Sequence, residues 1–255
     1  MRTLPVYPDH MSLEDVRRDW TTLGEQDPLW AVYVAPGTKG GGWDIDAFFA
    51  TGANEVTRSL SRARELGLLV GQGTGLDFGC GVGRLSAALA TELDHVVSVD
   101  ISAPMIAEAR RLGRCGANVT FVLNETSDLT FQASGSVDIV YSSLVLQHLP
   151  RHVASSYLRE FARVLRPGGT AILQVATRPT WSLRGVLMRI LPPTLLGWAQ
   201  RFVLDYPAPM RMTAMSTCNV QAALEGSGLS IVEAVEETVY GGNWITTRYF
   251  LAQGN

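Results

Sequence analysis

The chain has 255 residues, 46% of them hydrophobic, with 25 glycines and a formal net charge of −3. This length and composition describe a globular chain with one large α/β domain or a core plus a small cap, and exclude a disordered or fibrous protein. The slight acidity gives no reason to expect nucleic acid as the main partner, and the separated Cys80, Cys115 and Cys218 offer neither a disulfide framework nor a paired metal or redox motif, which fits a reducing, cytoplasmic setting.

Residues 1–72 read as a helical extension. The N-terminus has no apolar run of signal-peptide length. In "SLEDVRRDW", Ser12 is suited to an N-cap, with Asp15 three residues later. "DIDAFFATGANEVTRSLSRARELGLL" has apolar residues at helical spacing and stops at Gly71; "APGTKGGGW" before it has loop composition. From residue 73 to 177 the pattern alternates. "TGLDF", "HVVSVD", "VTFVLN", "SVDIVYSS" and "TAILQVAT" are β-rich; between them lie helical runs, one opening on Pro104 and another stopped by Pro167 and Gly168. Residues 178–215 break the alternation with a Pro-rich, apolar and cationic insertion. Its most membrane-like run, Gly185 to Leu204, is interrupted by Arg189, Arg201 and the Pro192–Pro193 pair, so it is not expected to span a bilayer. Residues 216–255 add a helix and the edge strands "LSIVEAVEE" and "TTRYFLAQ", with "YGGN" as the turn of an antiparallel pair. The predicted fold is α/β: a Rossmann-like, mostly parallel seven-stranded sheet sandwiched by helices, with an N-terminal helical extension and a cap insertion after strand five.

The segment "LDFGCGVGRLS" decides the ligand class. A dinucleotide fingerprint needs G-x-G-x-x-G. Gly79, Gly81 and Gly83 give G-x-G-x-G, and the sixth place holds Arg84 or Ser86, depending on the start. Asp77 lies where the first strand ends. A carboxylate there repels a pyrophosphate and attracts a cation. A nucleoside with an ammonium and a sulfonium but no phosphate, S-adenosylmethionine, meets that demand. Asp100, at the end of the second strand, can accept ribose hydroxyls, as acids in NAD sites also do. The plain alternatives are a tight strand-to-helix turn and helix-entry caps. The place of both acids at strand C-termini, where open α/β sheets bind ligands, favours a site.

"LDFGCGVGRLS", "VVSVDIS", "VLNETSDL", "SVDIVYSSLVLQHL" and "VLRPGG", in this order, resemble the class I S-adenosylmethionine-dependent methyltransferases of the small-molecule type, over residues 73–177. The resemblance implies that Asp77, Gly79 and Gly81 meet the methionine end of the cofactor, that Asp100 takes the ribose and that Ile101 flanks the adenine. It places Asn124, Glu125 or Thr126 at the adenine amine, although relatives often carry Gly-Asp at the first two positions. Ser142, Ser143 and Leu144 would border the methyl group. Thr51 and Gly52, in "FFATG", would form a lid over the cofactor's carboxylate. Met105 reads either as adenine padding or as helix core.

Methyl transfer needs alignment of the nucleophile, and a base only where the acceptor loses a proton. His148, just past the fourth strand, is the candidate base, with a structural turn residue as the alternative; His10, His95 and His152 read as surface. No CxxC or GxSxG is present in the sequence, so a paired-cysteine metal site and serine-nucleophile chemistry have no support, and no metal is expected. The aromatics of the two additions (Trp20, Trp30, Tyr33, Trp43, Phe48 and Phe49; Trp181, Trp198, Phe202 and Tyr206) read as an acceptor pocket, as mutual packing or as a homodimer contact. The arginines of the insertion read as an anion site, a membrane-facing surface or a solvated helix face. The expected activity is O-, N- or C-methylation of a small organic acceptor, in secondary metabolism. The alternatives are a protein of this fold without methyl transfer, acting as a partner activator or on another reaction, and an NAD(P)-dependent oxidoreductase.

Overall fold

The structure is a computed structural model that describes residues 11–238 and 243–254. In chain order the elements are α1 (Leu13–Gln26), α2 (Pro28–Val32), α3 (Ile45–Glu65), β1 (Thr74–Phe78), α4 (Arg84–Leu89), β2 (His95–Asp100), α5 (Ala103–Leu112), β3 (Val119–Leu123), β4 (Val137–Ser143), a 3-10 turn (Leu146–His148), α6 (Arg151–Val164), β5 (Leu165–Pro179), α7 (Leu183–Ile190), α8 (Pro193–Phe202), α9 (Thr217–Leu224), β6 (Leu229–Thr238) and β7 (Trp244–Gln253). The sheet has seven strands in the order β3-β2-β1-β4-β5-β7-β6. The first five are parallel, and β7 runs antiparallel to both β5 and β6. The strand order reverses between β1 and β4, so a crevice opens at their C-terminal ends, where doubly wound sheets bind ligands.

The elements follow from local signals. Ser12 and Asp15 form a reciprocal capping box at α1: Asp15 N–H donates to Ser12 Oγ at 3.1 Å and Ser12 N–H donates to Asp15 Oδ2 at 3.0 Å. α5 has Ser102 as its N-cap and ends at Gly113 in the left-handed region, φ 62°. The helix expected to be stopped by Pro167 and Gly168 ends earlier, at Val164, and β5 starts at once. Arg166 precedes Pro167 and is kept out of the helical region, so the chain turns extended there; Leu165 pairs with Val137, and Arg166 Nη1 binds Asp138 at 2.7 Å. The "YGGN" turn falls largely outside the described residues, as does His10.

Alternation along the central strands sends one set of side chains to each helical layer. Val137 and Val140 of β4 join Phe161, Leu158 and Val153 of α6. Ile139 and Tyr141 join Val56 and Leu60 of α3 and Leu85 and Leu89 of α4. A third cluster, Leu23, Trp30, Phe48, Met105 and Ala208, fastens the N-terminal helices to α5 and to the segment after α8. Met105 is fully buried in that cluster, so it is helix core.

A polar knot crosses this packing. Glu55 of α3 is 2.9 Å from Arg84 at the start of α4 and 3.4 Å from Arg248 of β7, both buried. Its Oε1 also accepts from Ser143 Oγ at 2.6 Å. Burial pushes Glu55 up, but the two guanidiniums outweigh it and hold the carboxyl at about 2. The stretch "FFATG" therefore does not form a lid: it is the interior of α3. Thr51 Oγ1 donates to the Phe48 carbonyl at 2.6 Å and accepts from Arg84 Nη1 at 3.3 Å. Gly52 is where α3 lies flat on α4, since a Cβ there would sit 2.3 Å from the Arg84 carbonyl oxygen. Gly52→Ala is expected to force the two helices apart and destabilise the fold by about 1–3 kcal/mol, read as a lower urea midpoint with an unchanged slope.

Candidate functional site

The loop from β1 to α4 forms the floor of the site. Gly79, Gly81 and Gly83 all have left-handed backbones, φ 77°, 54° and 82°, which L side chains rarely adopt. Gly83, the glycine misplaced for a dinucleotide fingerprint, is the N-cap of α4. The loop is bonded to its own framework. Gly79 and Cys80 N–H both donate to the Val99 carbonyl, at 2.8 and 2.9 Å. Gly83 N–H donates to Cys80 at 2.9 Å, and Gly81 N–H donates to Asp100 Oδ2 at 2.8 Å. These are the donors a diphosphate would need, and they are taken.

Over this floor opens a cleft with about 870 Å³ of empty space, its open mouth included. Its wall contains Gly79, Gly81, Asp100, Ile101, Asn124, Ser143, Leu144 and His148, so the structure brings these predicted residues together. Leu13, Val16 and Trp20 of α1 face them, with Val32, Phe78, Val145, Leu149 and Tyr157. The wall is mostly apolar. Leu144 has φ 60°, an unusual value for a side chain with a Cβ, and its N–H donates to the Gln174 carbonyl at 2.9 Å.

Six of the predicted residues stand outside the cleft wall. Asp77 is fully buried beneath the loop, its Oδ2 accepting from Ser86 Oγ at 2.6 Å and its Oδ1 without a partner. Burial pushes its carboxyl up to about 7, with Ser86 and Arg84 opposing and Asp100 and Glu55 adding to the rise. Ser142 is buried and donates to the Phe78 carbonyl at 3.1 Å, which fixes β4 against β1. Glu125 turns toward α1, 3.4 Å from Arg17. Thr126 Oγ1 donates to Asn124 Oδ1 at 2.9 Å and so shapes the loop after β3. Thr51 and Gly52 lie inside α3. Of the three residues after β3, only Asn124 reaches the cleft, and its Nδ2 is spent on the Asp128 carbonyl at 2.9 Å and Tyr157 Oη at 3.2 Å.

Asp100 lines the cleft with both carboxylate oxygens engaged by backbone N–H groups, Ser102 and Gly81, each at 2.8 Å. Burial nonetheless raises its pKa. His148 lies edge-on to Trp20, ring centroids 5.0 Å apart, and its Nδ1 is 2.6 Å from the Arg211 carbonyl. A carbonyl only accepts, so Nδ1 carries the proton and Nε2 is the basic nitrogen. Burial pulls the ring down to about 4, against the Arg211 carbonyl, so His148 is neutral at physiological pH.

Arg84 and Tyr157 of the cleft wall are absent from the sequence-based set. Arg84 is buried, stacks over Tyr33 at 4.8 Å, and has an Nε without a partner. Its place right after the third glycine was the available signal. Tyr157 sits in an ordinary amphipathic helix, and nothing in the local sequence distinguishes it from core.

Residues 76–169 match the family model of the methyltransferase domain. Among curated relatives, the chain is 37% identical over 107 residues to a demethylmenaquinone methyltransferase of Beutenbergia cavernae, covering 42% of each chain. It is 33% identical over 104 residues to a ubiquinone biosynthesis O-methyltransferase of Xanthomonas oryzae, covering 40% of this chain and 43% of the relative. The chain thus spans less than half the length of these relatives. Among solved structures, magnesium protoporphyrin IX methyltransferase from Synechocystis, with bound S-adenosylhomocysteine, superposes with a TM-score of 0.63 at 21% identity, over 95% of this chain and 99% of that one. A 4+2 cyclase superposes with a TM-score of 0.65 at 12% identity, over 100% and 99%.

The raised pKa of Asp77 has a measurable sign. Its folded pKa of about 7 exceeds the ordinary 3.8, so its contribution to stability is complete below the ordinary value and declines as pH rises toward 7. Relative to the parent, Asp77→Asn is expected to gain stability across that window by up to about 1.4 kcal/mol per pH unit. Urea unfolding of both proteins at several pH values reads this; a constant difference overturns the assignment.

Proposed function

We propose that this chain, whose residues 76–169 are a class I methyltransferase domain, binds S-adenosylmethionine in the cleft and methylates an oxygen, nitrogen or carbon of a small, largely apolar organic acceptor. The observation that carries the reading is the self-bonded glycine loop: its N–H groups are committed to Val99, Cys80 and Asp100, so the floor offers acids where a dinucleotide needs donors. The Asp100 carboxylate in the cleft wall suits a hydroxyl-bearing nucleoside, Asp77 lies buried beneath the floor, and an NAD(P)-dependent reaction lacks its diphosphate cradle.

The cofactor, when bound, supplies an activated methyl group on a sulfonium. The chain's own residues do the rest. Asp100 accepts from ribose hydroxyls. Ile101 and Val99 give the base an apolar wall. Leu13, Val16 and Trp20 shield the cleft from water, which strengthens every polar contact inside it. His148 Nε2 takes a proton from an acceptor hydroxyl or amine, while the Arg211 carbonyl holds the ring in the required tautomer. An acceptor of secondary metabolism or of quinone biosynthesis, the latter being what two relatives are named for, has the flat, greasy character this wall suits.

A second reading keeps the cofactor and drops the transfer. The 4+2 cyclase has this fold over the whole chain, and fold alone does not fix the reaction. The arrangement of His148 beside the cleft favours transfer with proton removal.

Two measurements test the assignment. Calorimetry with S-adenosylhomocysteine and with NADH is expected to show binding of the first alone, weakened about 10- to 100-fold by Asp100→Ala, the loss of charge-assisted hydrogen bonds; NADH binding, or an indifferent Asp100→Ala, overturns it. Once an acceptor is in hand, His148→Gln is expected to lower kcat by about 100-fold. Because the base is the neutral ring and its pKa lies near 4, the parent's rate should be flat between about pH 6 and 9. An unchanged kcat in His148→Gln contradicts this role, and an acid limb at the ordinary histidine pKa contradicts the depressed pKa.

A further inference from the structure

We propose that α7 and α8 form a docking face for an anionic phospholipid bilayer. The two helices present an apolar surface to solvent: Ile190 is 68% exposed, Trp198 54%, Phe202 66% and, just beyond α8, Val203 65%. Trp198 and Phe202 lie side by side, ring centroids 5.7 Å apart, and Arg201 lies over the Phe202 ring. Contiguous exposure of large apolar side chains marks an interaction surface. Tryptophan and phenylalanine beside arginine is the composition of helices that lie in the headgroup layer. Among the described residues no helix is long and apolar enough to cross a membrane, so the contact is peripheral.

Charge selects the occupant. α7 and α8 contain Arg184, Arg189 and Arg201 and no acidic residue, in a chain of net charge −3. The flanking Arg178 and Arg211 are already held by Glu236 and Asp19, at 2.6 and 3.0 Å. A second copy docking by a two-fold axis would set helices that contain arginine and no carboxylate against each other. An anionic lipid surface is complementary, and each arginine near it raises partitioning roughly fivefold.

The location joins this face to the cleft. α7 leaves the C-terminal end of β5, the end of the sheet where the cleft opens. The chain after α8 returns so that the Arg211 carbonyl accepts from His148 Nδ1. A bilayer under α7 and α8 therefore lies against the segment whose return holds the His148 ring. Docking does not depend on methyl transfer.

The test is co-sedimentation of the full chain with phosphatidylcholine vesicles, with and without roughly a third phosphatidylglycerol. The parent is expected to pellet with the anionic vesicles and to be released by salt. The double variant Trp198→Ser, Phe202→Ser is expected to partition at least about tenfold less. Arg201→Glu, a single exposed change, should lose several-fold. A parent that stays in the supernatant with anionic vesicles overturns the proposal, as does a folded double variant that pellets like the parent. Lipid-free light scattering showing a parent dimer that the double variant dissolves assigns the face to a second copy and overturns it too. Calorimetry with S-adenosylhomocysteine on the same proteins separates the two claims: its failure bears on the proposed activity alone.

Discussion

The site depends on a loop that satisfies itself. A strand-to-helix turn at the end of β1 ordinarily leaves N–H groups facing outward, ready for an anion. Here Val99, Cys80 and the Asp100 carboxylate absorb four of them, and three left-handed glycines make the required bends possible. The consequence reaches through the whole crevice. With donors withdrawn and two acids beneath and beside the floor, the local field favours positive charge, and burial raises both acids in turn.

Around that floor the aromatic residues divide into three populations. Trp30, Phe48 and Tyr206 are structural: Trp30 meets Tyr206 edge-on at 4.7 Å, which clamps the N-terminal extension to the segment after α8. Trp20 and Tyr157 line the cleft. Trp198 and Phe202 face outward. The sequence patterning left the two additions as two aromatic sets with three possible uses, acceptor pocket, mutual packing or dimer contact; the fold puts some of the residues in packing, some in the cleft wall and some on the surface.

The strands β1 to β5, the capping box at Ser12 and the unusual glycine spacing were legible because each rests on contacts within a few residues. Five cleft positions fell at strand ends for the same reason, Gly79, Gly81, Asp100, Ser143 and Leu144. What the sequence could not carry is side-chain direction at those ends. Asp77 and Ser142 sit on the right strands but point into the sheet's interior, where Ser86 and the Phe78 carbonyl meet them. Glu125 is drawn off by Arg17, more than a hundred residues away in the chain. The lid expected at "FFATG" rested on the family resemblance; in the fold the stretch is helix interior, and Gly52 is small to let α3 touch the Arg84 backbone. Arg84 and Tyr157 owe their place to tertiary packing, which no local period encodes.

The knot at Glu55 bears on how the chain is put together. Its carboxylate, on a helix that precedes the core in sequence, is the counter-charge for one guanidinium at the head of α4 and another on β7, both almost wholly enclosed. Were the extension to detach, Arg84 would be stranded in a low-dielectric interior and Arg248 would keep only Glu237, a larger penalty than the loss of an ordinary surface helix. The amino-terminal extension is accordingly a structural partner of the sheet rather than an accessory, and excising residues 73–177 as a minimal unit would leave the buried Arg84 without its anion.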